Sequence, residues 1–101
     1  MDEFNTGQLY VLTARIPQTG IEKFNEYESL VLPLLKEHGA KLERRLQSHD
    51  QLIEVHLIWF PSEQSFDSYR NDPRRSQYAH ILAESGASTE LIRMNDCEVF
   101  Y

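Results

Sequence analysis

The groups best placed for acid–base chemistry in this sequence fall on one short hairpin. Residues 41–48 and 52–60 are strand-like and flank the polar pair His49-Asp50, the pattern of two antiparallel strands joined by a tight turn. An even loop pairs Ser48 with Gln51, which sets Glu43 opposite His56 and Arg45 opposite Glu54 on one face. Leu42, Leu46, Ile53, Val55, Leu57 and Trp59 share the other face, with Arg44 the exception. A one-residue slip would reverse every side chain, and the clean split between charged and apolar pairs selects the even register. A histidine beside a carboxylate can act as a general base near neutral pH, so His56 is a candidate catalytic residue. The same ladder is also ordinary cross-strand ion pairing.

A second constellation is aromatic. His38 ends the first helix, Trp59 stands on the third strand, and Tyr69 and Tyr78 lie on the second helical stretch. All four are expected to face one space under the helices, with Arg44 nearby. Aromatic walls with few polar groups suit a small hydrophobic ligand. Trp59, Tyr69, Tyr78 and Arg44 are therefore candidate substrate-binding residues, and His38 is a second candidate for moving a proton. Aromatic residues at helical spacing equally build an ordinary core.

Other chemistries find less support. His38, His49, His56 and His80 lack the close spacing of a metal site, and the one cysteine, Cys97, reads as a buried apolar thiol. There is no Gly-x-Ser-x-Gly elbow and no glycine-rich phosphate loop, and no cofactor is implied. Arg74 and Arg75 at a helix start would fit an anion, although such doublets are most often solvated.

The elements that must hold these groups follow from periodicity. Residues 9–16 read as a first strand, closed by Pro17 and Thr19-Gly20. Thr19 then starts a helix, with Glu22 completing a capping box. Ile21, Phe24, Tyr27, Val31, Leu34, Leu35 and His38 recur at three- and four-residue spacing along it. Pro33 should kink this helix and Gly39 should end it. Ser62 caps a second helix carrying Phe66 and Tyr69, which Asp72-Pro73 breaks and restarts and Gly86 stops. Residues 90–101 form the last strand, bent at Asn95-Asp96. The order β-α-β-β-α-β predicts one α+β domain over residues 1–101, a ferredoxin-like sandwich. Its four-stranded antiparallel sheet has strands one and three central and both helices on one face.

The other sheet face is then bare, although strands one and three carry large apolar groups on both sides. Leaving one such side chain wet forgoes roughly 1.5–3 kcal/mol, and a patch of several rarely stays exposed. A homodimer through the sheet faces is the expected partner arrangement. The charged face with Ile58 and Phe60 is expected to meet the partner, and the apolar face the helices. Hydrophobic residues make up 41% and charged residues 26%, a globular balance, and the net charge of -6 argues against nucleic acid or an anionic membrane. One cysteine excludes an intramolecular disulfide framework. The opening residues lack a secretory leader, and no apolar run approaches the ~18–20 residues of a membrane helix. These features predict a cytoplasmic protein.

Three segments carry a resemblance to a known family. They are Tyr10-Val11-Leu12-Thr13-Ala14-Arg15, then Pro33-Leu34-Leu35-Lys36-Glu37-His38-Gly39-Ala40-Lys41, and Trp59-Phe60-Pro61-Ser62 with Phe66-Asp67-Ser68-Tyr69 and Asn71-Asp72-Pro73. Together they resemble the dimeric α+β barrel superfamily, most closely its small uncharacterised single-domain branch related to antibiotic-biosynthesis-type monooxygenases. The resemblance implies two sheets paired face to face, with helices outside. It also implies cavity-lining positions at His38, Trp59 and Tyr69. The activities it brings are cofactor-independent monooxygenation or isomerisation of a small hydrophobic ring compound. A non-enzymatic ligand-binding or structural homodimer is the alternative, since fold alone does not settle function.

Overall fold

The computed structural model describes residues 7–97. Four strands, β1 (Gln8–Arg15), β2 (Lys41–Gln47), β3 (Ile53–Phe60) and β4 (Ser88–Met94), form one antiparallel sheet in the order β2-β3-β1-β4. The α-helices are α1 (Ile21–Val31), α2 (Glu63–Arg70) and α3 (Pro73–Ser85). The chain is thus ferredoxin-like, with the two hydrogen-bonded central strands β1 and β3 expected from right-handed crossovers. No helix among the described residues is long and apolar enough to cross a membrane.

Proline and glycine set the helix limits. Pro33 ends α-helical geometry near Val31, and Leu32–His38 continue as a tighter 3-10 segment rather than a kinked α-helix. Gly39 closes that segment at φ 75°. Ser62 accepts a hydrogen bond from the Ser65 amide, and Asp72 accepts one from the Arg74 amide with Pro73 in the first turn of α3. The expected Thr19–Glu22 capping box does not form. Residues Gln18–Gly20 make a 3-10 turn, and Gly20 itself occupies the N-cap of α1 without a side-chain bond. A Cβ on Gly20 would overlap the carbonyl oxygen of Ser85, so glycine is what lets the start of α1 meet the end of α3.

The hairpin departs from the expected register by two residues. Its loop is longer: the Ser48 amide bonds the Ile53 carbonyl at 2.9 Å, and Gln51 adopts a left-handed φ of 66°. Arg45 therefore faces His56 and Gln47 faces Glu54. A bulge between Leu42 and Arg44 leaves Glu43 without the expected cross-strand position opposite His56. A slip of two preserves which residues share a face from Arg44 to Gln47. Beyond the bulge Leu42 is moved to the helix side, paired with Ile58 and packed against the core rather than beside Leu46. Arg45 and Glu54 still meet, diagonally, at 2.9 Å.

The assignment of faces is reversed. Glu54, His56, Ile58 and Phe60 are buried under the helices, whereas Ile53, Val55, Leu57 and Trp59 occupy the open face. Tyr10, Ala14, Phe60 and Phe66 explain why, since they join the buried clusters beneath α1, α2 and α3. With Ala14 and Tyr10 paired to Glu54 and Ile58, β3 is forced to present its charged pair to the same side. The open face is left largely apolar along its centre, where Leu9, Val11 and Thr13 pair with Trp59, Leu57 and Val55. Leu46, Ile92 and Met94 extend it with exposures of 40%, 43% and 41%.

Because Gly20 has an ordinary φ of -104°, its requirement is steric. The substitution Gly20→Ala is expected to lower stability by roughly 1–3 kcal/mol through overpacking, read as a lower urea midpoint. An unchanged midpoint would show that the α1–α3 contact yields freely.

Candidate functional site

The buried stripe of α1 is Phe24, Tyr27, Glu28 and Val31, the i, i+3, i+4, i+7 positions of one helical face. Glu28 thus occupies a core position, 5% exposed, and His56 on β3 lies beneath it at 1%. The two approach at 3.4 Å between Glu28 Oε2 and His56 Nδ1. On its other side His56 Nε2 meets Glu54 Oε1 at 2.8 Å. Arg45 then donates to both Glu54 oxygens, at 2.9 and 3.3 Å. The result is a continuous line, Glu28–His56–Glu54–Arg45, running from a cavity to the edge of the sheet.

Burial and pairing assign protons along this line. Burial lowers the pKa of His56, so the ring is neutral at pH 7. Burial alone would raise Glu54, but hydrogen bonds from Arg45 and His56 more than offset it and hold Glu54 ionised below its ordinary range. Glu54 therefore accepts a proton bond from Nε2–H, which leaves Nδ1 as a lone pair facing Glu28. Burial, with the Glu54 charge adding to it, pushes Glu28 up to about 7 against the pull of Arg45 and Arg75. Glu28 is thus poised to give or take a proton near neutrality.

Glu28 and His56 line a cavity of about 560 Å³ between the helices and the sheet. Its walls include Tyr10, Leu12, Ile58, Phe60 and Phe66, with Tyr69 at one side. Burial pushes the Tyr69 hydroxyl up to about 12, so it stays neutral. Glu28, Glu54 and His56 place possible ligand atoms within 4.8 Å of one another. A cation there would compete with the bonds that Glu54 accepts from Arg45 and His56 and meet the Arg45 charge close by.

The structure brings only part of the expected constellation together. His56 and Tyr69 line the cavity. His38 instead bonds Asp72 Oδ2 at 2.9 Å, packs edge-on against Tyr69 at 5.9 Å, and its carbonyl accepts from the Ser65 hydroxyl. Hydrogen bonds from Arg74 and His38 hold Asp72 well below the usual carboxylate range. Tyr78 packs with Tyr27, Val31 and Ile81 in the core. Trp59 and Arg44 do not share this space. Both lie on the open sheet face, paired with Leu9 and Leu57 respectively, and Lys41 sits 5.7 Å over the indole. Cys97 is exposed rather than buried, because β4 ends at Met94. Arg74 is engaged by Asp72 and Glu37, leaving the expected Arg74–Arg75 pair split.

The Glu28 proton has a consequence for stability. The unfolded chain ionises it from about 4.5, the folded protein only from about 7. Its contribution is intact below pH 4.5 and is lost as pH rises toward and past 7. Relative to wild type, Glu28→Gln is expected to gain roughly 2–3 kcal/mol more at pH 8 than at pH 5. Urea unfolding at the two pH values measures this, and an identical effect at both would show that Glu28 titrates normally.

No protein-family model and no curated protein matches the chain. Solved structures do match its fold. A conserved protein of unknown function from Bacteroides thetaiotaomicron is 20% identical with a TM-score of 0.73, covering 89% of this chain and 97% of its own. SnoaB from Streptomyces nogalater, described as a cofactor-independent oxygenase, is 10% identical with a TM-score of 0.75, covering 93% and 96%. A dimeric ferredoxin-like protein of unknown function from Jannaschia sp. CCS1 is 17% identical with a TM-score of 0.68, covering 88% and 99%. The chain therefore shares the ferredoxin-like fold of proteins of the antibiotic-biosynthesis-monooxygenase type.

Proposed function

We propose that this chain forms a homodimer and acts as a cofactor-independent monooxygenase on a small hydrophobic ring compound bound in the helix-side cavity. The observation that carries this reading is a carboxylate buried in an aromatic-walled cavity, 3.4 Å from a neutral histidine. The described oxygenase activity of SnoaB, a protein of the same fold, supports it.

The chemistry requires little beyond a base and a dry site. Ionised Glu28 removes a proton from an activated ring CH2, and His56 hydrogen-bonds the resulting acid. The carbanion adds dioxygen to form a C–O bond, giving a peroxide anion that regains the proton from Glu28. Loss of the second C–H proton then breaks the O–O bond, leaving a ring carbonyl and hydroxide, which is protonated to water. The net change is CH2 plus O2 to C=O plus H2O, with oxygen reduced and the ring carbon oxidised. Tyr69 serves as a cavity wall. His38, Tyr78, Trp59 and Arg44 have packing or dimer-face roles in this scheme.

Oxygen uptake across hydroxyquinones and polycyclic phenols, with no added cofactor, is the direct test. Turnover should fall about 100-fold or more in Glu28→Gln. Background uptake by the wild type across the panel would overturn the oxygenase reading. Ligand binding without uptake would point to the non-enzymatic alternative.

The dimer is supported by the apolar open face. Light scattering should give twice the 11.9 kDa chain mass, and Leu57→Glu should shift the protein toward monomer by placing a charge at the centre of that face. A wild-type monomer at all concentrations would contradict the face-to-face arrangement.

A further inference from the structure

We propose that the ligand of this cavity is an anion, a carboxylate-bearing aromatic ring system, and that Arg75 is the group that anchors it. The proposal rests on the helix-side cavity being the substrate site. Arg75 enters the cavity wall from α3. Its guanidinium stacks 4.6 Å over the Tyr69 ring, while its Nη atoms reach the Tyr27 hydroxyl at 3.4 Å and the Arg70 carbonyl at 3.5 Å. These contacts fix the plane of the group but use no negative charge. Its Nε is buried and has no hydrogen-bond partner among the described residues. A buried donor left unpaired is costly and uncommon in a native fold. A guanidinium edge with a donor left unmet in this way matches a carboxylate, which accepts two parallel N–H bonds.

The neighbouring arginines sharpen the contrast. Arg45 and Arg74 are both paired with carboxylates, whereas no ion pair engages Arg75, Arg70 or Arg93 among the described residues. All three of these line the same cavity, and among the described residues the only carboxylate lining it is Glu28. In a chain of net charge -6, that makes the cavity a local positive site able to draw in an anion. The aromatic walls then bury the ring system, with the acid at Arg75 and the reacting carbon toward Glu28.

Calorimetric titration with 2-naphthoate and its neutral isostere 2-naphthamide tests the proposal. Wild type should bind the naphthoate at least tenfold more tightly. Arg75→Gln should lose that preference while retaining naphthamide binding, which shows an intact cavity, and Arg75→Lys should retain part of it. Equal affinity of wild type for both probes would overturn the proposal. So would an unchanged preference in Arg75→Gln, or failure of both probes to bind a cavity of about 560 Å³. Oxygen uptake separates this from the catalytic reading. An Arg75-dependent naphthoate preference without uptake on any ring compound keeps the anion site and removes the oxygenase. Uptake on neutral phenols with no preference for acids does the reverse.

Discussion

Glu54 is held by two hydrogen bonds from Arg45 and one contact with His56 Nε2, and the chemistry of the buried layer depends on that arrangement. A carboxylate under the helices is expensive to ionise unless it is fully paired. Arg45, half-exposed at the sheet edge, supplies the pairing without being buried itself. Once Glu54 is charged, the proton of His56 belongs on Nε2, and its opposite nitrogen faces Glu28 as an acceptor. Among the described residues Glu28 has no such cation in contact, and it remains near its midpoint at neutrality. Two buried glutamates on one histidine thereby have their pKa values driven apart, Glu28 upward and Glu54 downward, the condition that separates a fixed charge from a titrating group.

The alternation of β3 connects this site to the open apolar face. One side of the strand presents Glu54, His56, Ile58 and Phe60 to the helix layer, and the next residues in turn present Ile53, Val55, Leu57 and Trp59 to the open face. Helices that need not seal a uniformly apolar sheet leave room for a cavity, while the apolar residues are concentrated where a second sheet can cover them. Each such side chain left wet forgoes roughly 1.5–3 kcal/mol. Placing polar chemistry beneath the helices and apolar area on the outer face lets the same short strand serve both.

Much of the fold was legible because its signals are local. Asp72-Pro73 marks a cap and a first turn, Gly39 and Gly86 mark left-handed stops, and Pro33 limits an α-helix. The companionship of Arg45, Glu54 and His56 followed from strand parity, which a two-residue slip in the loop preserves. Their side of the sheet did not follow, since β3 is apolar on both faces and only its pairing with Tyr10 and Ala14 decides the matter. Glu28 carried a readable signal that apolar periodicity passes over: it sits one residue after Tyr27, inside the Phe24–Val31 stripe. Arg75 carried none, because two adjacent arginines look alike until Asp72 and Glu37 claim Arg74. The aromatic grouping of Trp59 with Tyr69 failed for the same reason as the face assignment, one alternation of a strand.

Of the two buried glutamates, Glu28 ionises only near pH 7, whereas Glu54 is charged well below it. Carbon-13 NMR of carboxyl-labelled glutamate, with the Glu28 resonance assigned by its loss in Glu28→Gln, measures both directly. Glu28 should titrate with a midpoint near 7 while Glu54 stays ionised to below its ordinary range. A Glu28 midpoint near the ordinary 4.5 would be the contrary result, because a carboxylate that ionises as freely as in water is not desolvated beside a neutral histidine.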